Sequence, residues 1–138
     1  MARQYHAGQV DRVGAPYVEH PRGVAGLLAG TPETWQAAAW LHDVLEHTDA
    51  SADDLLGAGV PAEVVRLVDI VSRRPGEDYL AFIERVCADP VAVRIKIADT
   101  VHNLDPGRDF GPSPEKRARY HQALVRLVRA LPVGPEDQ

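Results

Sequence analysis

The sequence predicts an all-α fold, a single helical bundle, on three observations. Pro21, Pro32, Pro61, Pro90 and Pro114 stand where first helical residues are expected, a position at which a missing N–H does no harm. The segments between them carry no βαβ or hairpin grammar. A chain of 138 residues suits one compact domain, and 45% apolar content is enough for a core.

Residues 2–8 read as a fragment of helix and 9–19 as a loop. A helix follows near 21–29 from Pro21. Thr31, ahead of Pro32, reads as the N-cap of a helix over 32–47. Ser51-Ala-Asp-Asp54 resembles a capping box and opens a short helix ending near Gly57. Pro61 starts a helix over 61–72, and another covers 78–88. The next segment is ambiguous. Val91, Val93, Ile95 and Ile97 alternate as in a strand, while Val93, Ile97, Val101 and Leu104 fall at helical spacing. Asp89-Pro90 and Asp105-Pro106-Gly107 bracket about fifteen residues, long for a strand. The segment 90–104 therefore reads as a helix apolar on more than one face, hence central. Ser113 caps a last helix over 114–131, so the predicted domain is 1–131, with 132–138 as a frayed tail.

Composition narrows the function. The formal charge is −5, with 20 acidic against 15 basic residues, which argues against a general nucleic-acid binder. A small anionic substrate would need a metal or a local basic patch. A lone cysteine, Cys87, excludes an internal disulfide framework and a cysteine-based zinc cluster, and fits a cytoplasmic protein. No apolar run approaches the roughly 18 residues of a membrane span, and Met1-Ala-Arg-Gln-Tyr-His lacks the apolar core of a signal peptide. Oligomeric state leaves no mark on the sequence.

The run Ala37-Ala-Ala-Trp-Leu-His42-Asp43-Val-Leu-Glu46-His47 puts four metal- or proton-competent side chains at i, i+1, i+4 and i+5 of one expected helix. At about 100° per residue they would share an arc of roughly 140°. Burying such groups unpaired is costly, and a metal ion would resolve the cost. Imidazole and carboxylate are the usual ligands of divalent transition metals. His42 and Asp43 can reach one ion; Asp99, a carboxylate in an apolar stretch, and His20, at a helix entry, are candidates to complete it. Glu46 and His47, one turn on, would lie beside the ion and could orient or deprotonate water. His47 reads equally as a favourable charge at a helix C-terminus. His6, His102 and His121 read as surface or packing residues. Among Arg12, Arg73, Arg74, Arg94 and Lys96, Arg12 is the preferred phosphate contact, because it lies in the loop beside His20.

Four segments, His6-Ala-Gly-Gln9, Gly14-Ala-Pro-Tyr17-Val-Glu-His20-Pro21, His42-Asp-Val-Leu-Glu-His47-Thr48 and Lys96-Ile-Ala-Asp-Thr-Val-His-Asn103-Leu104, stand in the order and spacing of a known family. The chain resembles HD-domain metal-dependent phosphohydrolases, above all small alarmone hydrolases and the hydrolase domain of bifunctional alarmone synthetase/hydrolases. The resemblance implies an all-helical HD fold, one Mn²⁺ ion held by His20, His42, Asp43 and Asp99, and Glu46 as an organiser of the attacking water. It puts Asn103 near the substrate, and implies hydrolysis of a 3′-diphosphate from a hyperphosphorylated nucleotide. Two residues depart from the family pattern. His47 stands where an Asp is usual, and Asp11-Arg12 replaces a basic pair. They keep two alternatives open: a different nucleotide or phosphomonoester substrate, or a metal- and nucleotide-binding module without turnover.

Overall fold

The computed structural model describes residues 1–10, 16–106 and 111–131. Arg12 and the tail 132–138 lie outside the described residues. In chain order the helices are α1 (Ala2–Tyr5), α2 (Glu19–Leu27), α3 (Glu33–Leu41), α4 (Val44–His47), α5 (Ala52–Gly57), α6 (Ala62–Ile70), α7 (Tyr79–Val86), α8 (Pro90–Asn103) and α9 (Pro114–Arg129). Among the described residues the only β feature is an isolated bridge between Val10 and Pro16, so the fold is all-α. No helix among them is long and apolar enough to cross a membrane.

Local chemistry starts several of these helices. Ser51 accepts from the Asp54 N–H while Asp54 accepts from the Ser51 N–H, a complete capping box for α5. Asp89 accepts from the N–H groups of Val91 and Ala92 at 2.9 Å, and Pro90 fills the first position of α8. Ser113 and Pro114 repeat the arrangement at α9. Thr31 is not a cap: its hydroxyl donates back to the Leu28 carbonyl at 2.6 Å, and Pro32 itself precedes α3. Pro21 is the third residue of α2, still within the turn whose N–H groups have no intrahelical acceptor.

Helix α8 is the centre of the bundle. It packs against α2, α3, α6, α7 and α9, so Ala92, Val93, Ile95 and Ala98 are buried together. A helix enclosed on several sides needs apolar residues all round, which is why its sequence also alternates like a strand.

The largest departure from expectation is at 32–47, which is two helices. The Ala39 carbonyl accepts both the His42 N–H at 3.4 Å and His42 Nδ1 at 2.7 Å. Asp43 then adopts φ −99°, ψ 0°, outside regular helix geometry. His42, Asp43, Glu46 and His47 therefore do not line one helical face; a turn between α3 and α4 re-aims the first two.

Candidate metal centre

Three parts of the fold bring four side chains to one buried point. The first turn of α2 supplies His20, the α3–α4 turn supplies His42 and Asp43, and the middle of α8 supplies Asp99. His42 Nε2 lies 3.2 Å from Asp99 Oδ1, from Asp43 Oδ2 and from His20 Nε2. His20 Nε2 is 2.8 Å from Asp99 Oδ1 and 3.5 Å from Asp43 Oδ2. All four residues are buried.

The donor set fits a cation. A carbonyl oxygen can only accept, so His42 Nδ1 carries the proton shared with Ala39, and neutral His42 turns an Nε2 lone pair towards two carboxylates. That contact is repulsive unless a proton or a metal ion stands between them. Burial opposes an imidazolium here, but the carboxylates of Asp43 and Asp99 outweigh it and hold His42 well above the ordinary imidazole range. Burial likewise works against ionised Asp43 and Asp99. His42 brings the first below the ordinary carboxylate range, and Lys96 with His42 brings the second well below it. His20 is shifted the other way, downwards, chiefly by burial. Lys96, whose Nζ is 2.7 Å from Asp99 Oδ2, offsets one of the two carboxylate charges. With His42 neutral, one negative charge remains for a bound cation to balance.

The ligand-competent atoms are held from behind. The Tyr17 hydroxyl donates to Asp43 Oδ2 at 2.9 Å, and Asn103 Nδ2 donates to Asp99 Oδ1 at 3.1 Å. His102 Nδ1 is 2.8 Å from His20 Nδ1. His102 was expected on the surface or in packing, and instead touches the centre; His6 does pack, against the Tyr17 ring at 5.0 Å, and His121 is exposed.

The centre opens into a cleft of about 310 Å³. Glu46 and His47 stand on its wall. Glu46 Oε1 accepts from the Arg73 backbone N–H, and Glu46 Oε2 is 3.7 Å from His47 Nε2. Desolvation raises the Glu46 carboxyl, with the Arg73 N–H pulling against it. The half-exposed His47 ring lies 3.9 Å from Asp43 Oδ1. Arg73, Lys116 and Arg119 line the cleft with Tyr79. They form a local basic patch that net charge concealed. The Arg119 guanidinium sits 4.5 Å from the Tyr79 ring centroid, and both Arg119 Nε and the Tyr79 hydroxyl are buried without a hydrogen-bond partner among the described residues. Of the other basic candidates, Arg94 lies over Trp35 and Arg74 is tied to Asp69. Arg119 and Lys116 went unnoticed in the sequence because α9 reads there as an ordinary charged face.

Comparison with known proteins gives a consistent picture. The HD domain family profile matches residues 1–81. A Mycobacterium leprae protein named a probable GTP pyrophosphokinase is 36% identical over 95% of this chain and 18% of its own length. The bifunctional (p)ppGpp synthase/hydrolase SpoT of Escherichia coli is 35% identical over 95% of this chain and 20% of its own. The chain thus spans about a fifth of the length of these curated relatives. A solved metazoan ortholog of SpoT, described as hydrolysing ppGpp, superposes with a TM-score of 0.76 at 29% identity, covering 94% of this chain and 80% of that one. A Listeria monocytogenes structure shares the fold, with a TM-score of 0.69 at 23% identity over 94% of this chain and 89% of the other.

Proposed function

The chain belongs to the HD domain family, and from that premise we propose that it is a metal-dependent phosphohydrolase removing the 3′-diphosphate of (p)ppGpp-like alarmones. The observation that carries the proposal is the convergence of His20, His42, Asp43 and Asp99 on one buried, carboxylate-bearing point at the floor of a basic-lined cleft. The named activities of SpoT and of its metazoan ortholog support the same substrate class. We take residues 1–131 as the domain, a nucleotide as its small-molecule partner, and the cytoplasm as its setting.

In this reading His20, His42, Asp43 and Asp99 hold one divalent ion, Mn²⁺ by family resemblance. When bound, the ion supplies positive charge that offsets phosphate charge and acidifies water. The chain's own residues do the rest. Glu46, raised by desolvation and steadied through Oε1 by Arg73, presents Oε2 to orient water and accept its proton. The water oxygen bonds to phosphorus, the bond from phosphorus to the 3′-oxygen breaks, and one water proton ends on that oxygen. His47 assists as an imidazole where the family pattern has a carboxylate. Asn103, through its bond to Asp99, sits where it can meet both centre and substrate. Arg73, Lys116 and Arg119 hold the remaining phosphates, a task that Arg12 shares in this reading.

The test is incubation of the Mn²⁺-loaded protein with ppGpp, reading GDP and pyrophosphate. Release of both is expected. No release from any guanosine or adenosine 3′-diphosphate would remove the alarmone assignment, and activity on other nucleotides in a phosphatase panel would redirect it. Turnover that appears only in His47→Asp would favour a binding module; turnover in the wild type that is lost in His47→Ala would exclude one.

A further inference from the structure

His20 has two ring nitrogens, and the centre accounts for one. Its Nε2 faces Asp99 and His42, while its Nδ1 lies 2.8 Å from His102 Nδ1, the two rings tilted by 33° at 4.9 Å. One of the two Nδ1 atoms must carry the shared proton. If His102 donates, the neutral His20 ring keeps its proton on Nε2 and gives it to Asp99; Nε2 then has no lone pair for a cation. If His20 donates, Nε2 is free to ligate.

His102 reaches this position because of a glycine. Gly23, one turn beyond His20 on α2, lies directly against the His102 ring. A Cβ at residue 23 would fall 2.2 Å from His102 Nε2 and 2.6 Å from its Cδ2, closer than side chains approach. The ring is therefore seated between His20 and a bare stretch of α2 backbone.

We propose that His102 is the positioning residue of the metal centre. It accepts the His20 Nδ1–H, which fixes His20 as an Nε2 ligand, and Gly23 is the vacancy that admits its ring. Ligand histidines commonly give their second N–H to such a partner, whose loss weakens metal binding about 10–100-fold. The inference rests on the metal-centre reading above.

Calorimetric titration of the full chain with Mn²⁺ alone tests it. Relative to wild type, His102→Ala should bind Mn²⁺ about 10–100-fold more weakly. His102→Asn, whose Oδ1 can accept the same N–H, should recover most of that loss. Gly23→Ala should weaken binding in the wild-type background and cost nothing further beside His102→Ala, because the ring it displaces is then gone. Circular dichroism and metal-free melting confirm that each variant folds, and His102→Asn alone decides the matter if the alanine variant does not. Equal affinity in wild type and His102→Ala would overturn the proposal. So would an asparagine variant as weak as the alanine one, or a Gly23→Ala penalty that is the same in both backgrounds. Failure of the wild type itself to bind Mn²⁺ would instead remove the metal centre, and this inference with it.

Discussion

His42 and Lys96 answer the same buried carboxylates in different ways. Lys96 is a permanent cation, paired with Asp99 and lying 5.1 Å from the Phe82 ring centroid, and its charge persists across the physiological range. His42 is charged only when protonated, and in the metal-free protein it keeps its proton above the ordinary value of 6.5 because Asp43 and Asp99 outweigh burial. A folded value raised above the unfolded one gives stability that is complete below pH 6.5 and lost as pH rises through the folded value. The depressed carboxylates Asp43 and Asp99 give stability that is lost only as pH falls through their low values. His20, lowered by burial, acts below 6.5. Within the centre only His42 therefore titrates in a window that opens at pH 6.5 and runs up through its raised folded value. The metal-free melting midpoint should fall across that window, and saturating Mn²⁺, which replaces the proton, should abolish the fall. A flat metal-free profile, measured in chelator by scanning calorimetry, would show that His42 is not held as described.

At the scale of elements, the site depends on what joins the helices. The link between α6 and α7 brings the Arg73 N–H to Glu46 and the Arg73 side chain over Tyr79, 5.7 Å from its centroid. Arg85, on α7, fastens that link: it donates to the Ile70 and Ser72 carbonyls at 2.9 Å and to both Glu77 oxygens at 3.0 Å. Arg85→Leu should leave Mn²⁺ affinity unchanged and lower kcat about 10–100-fold, because a loosened link would misplace Glu46 against the water of the proposed reaction. Comparing steady-state turnover with metal titration separates the two effects, and an equal loss of metal affinity would count against it. Junctions of this kind were the least legible part of the sequence. Caps at Ser51, Asp89 and Ser113 could be read because each is settled within three or four residues. The break after Leu41 could not, since the alanine-rich run has helical propensity throughout and the turn depends on where the His42 ring is drawn. His102 was missed for a related reason: its partner is 82 positions away, and Gly23 signals it only once α2 and α8 are known to cross there.

For the whole molecule, prolines at expected helix starts and the lack of βαβ or hairpin grammar made the all-α class readable, while imidazole and carboxylate groups set against apolar runs, together with the family resemblance, made the grouping of His20, His42, Asp43 and Asp99 readable. Charge distribution was not readable in the same way. The net charge of −5 should repel a polyanionic nucleotide, yet Arg73, Lys96, Lys116 and Arg119 all line one cleft, drawn from three separate parts of the chain: the α6–α7 link, α8 and α9. Two opposing fields result: a diffuse negative one over the surface and a concentrated positive one inside a low-dielectric recess. The recess should dominate binding, because substrate phosphates would come within contact distance of it, whereas exposed charges beyond a Debye length are largely screened at physiological salt. KM for ppGpp should therefore rise with ionic strength in the wild type. Combined Lys116→Gln and Arg119→Gln substitution should raise KM at low salt by about tenfold or more, the loss of two charge-assisted hydrogen bonds, and flatten its salt dependence, with Mn²⁺ affinity unchanged. If KM instead falls as salt is added, the acidic surface governs encounter, and the basic cleft has the smaller part in holding the substrate.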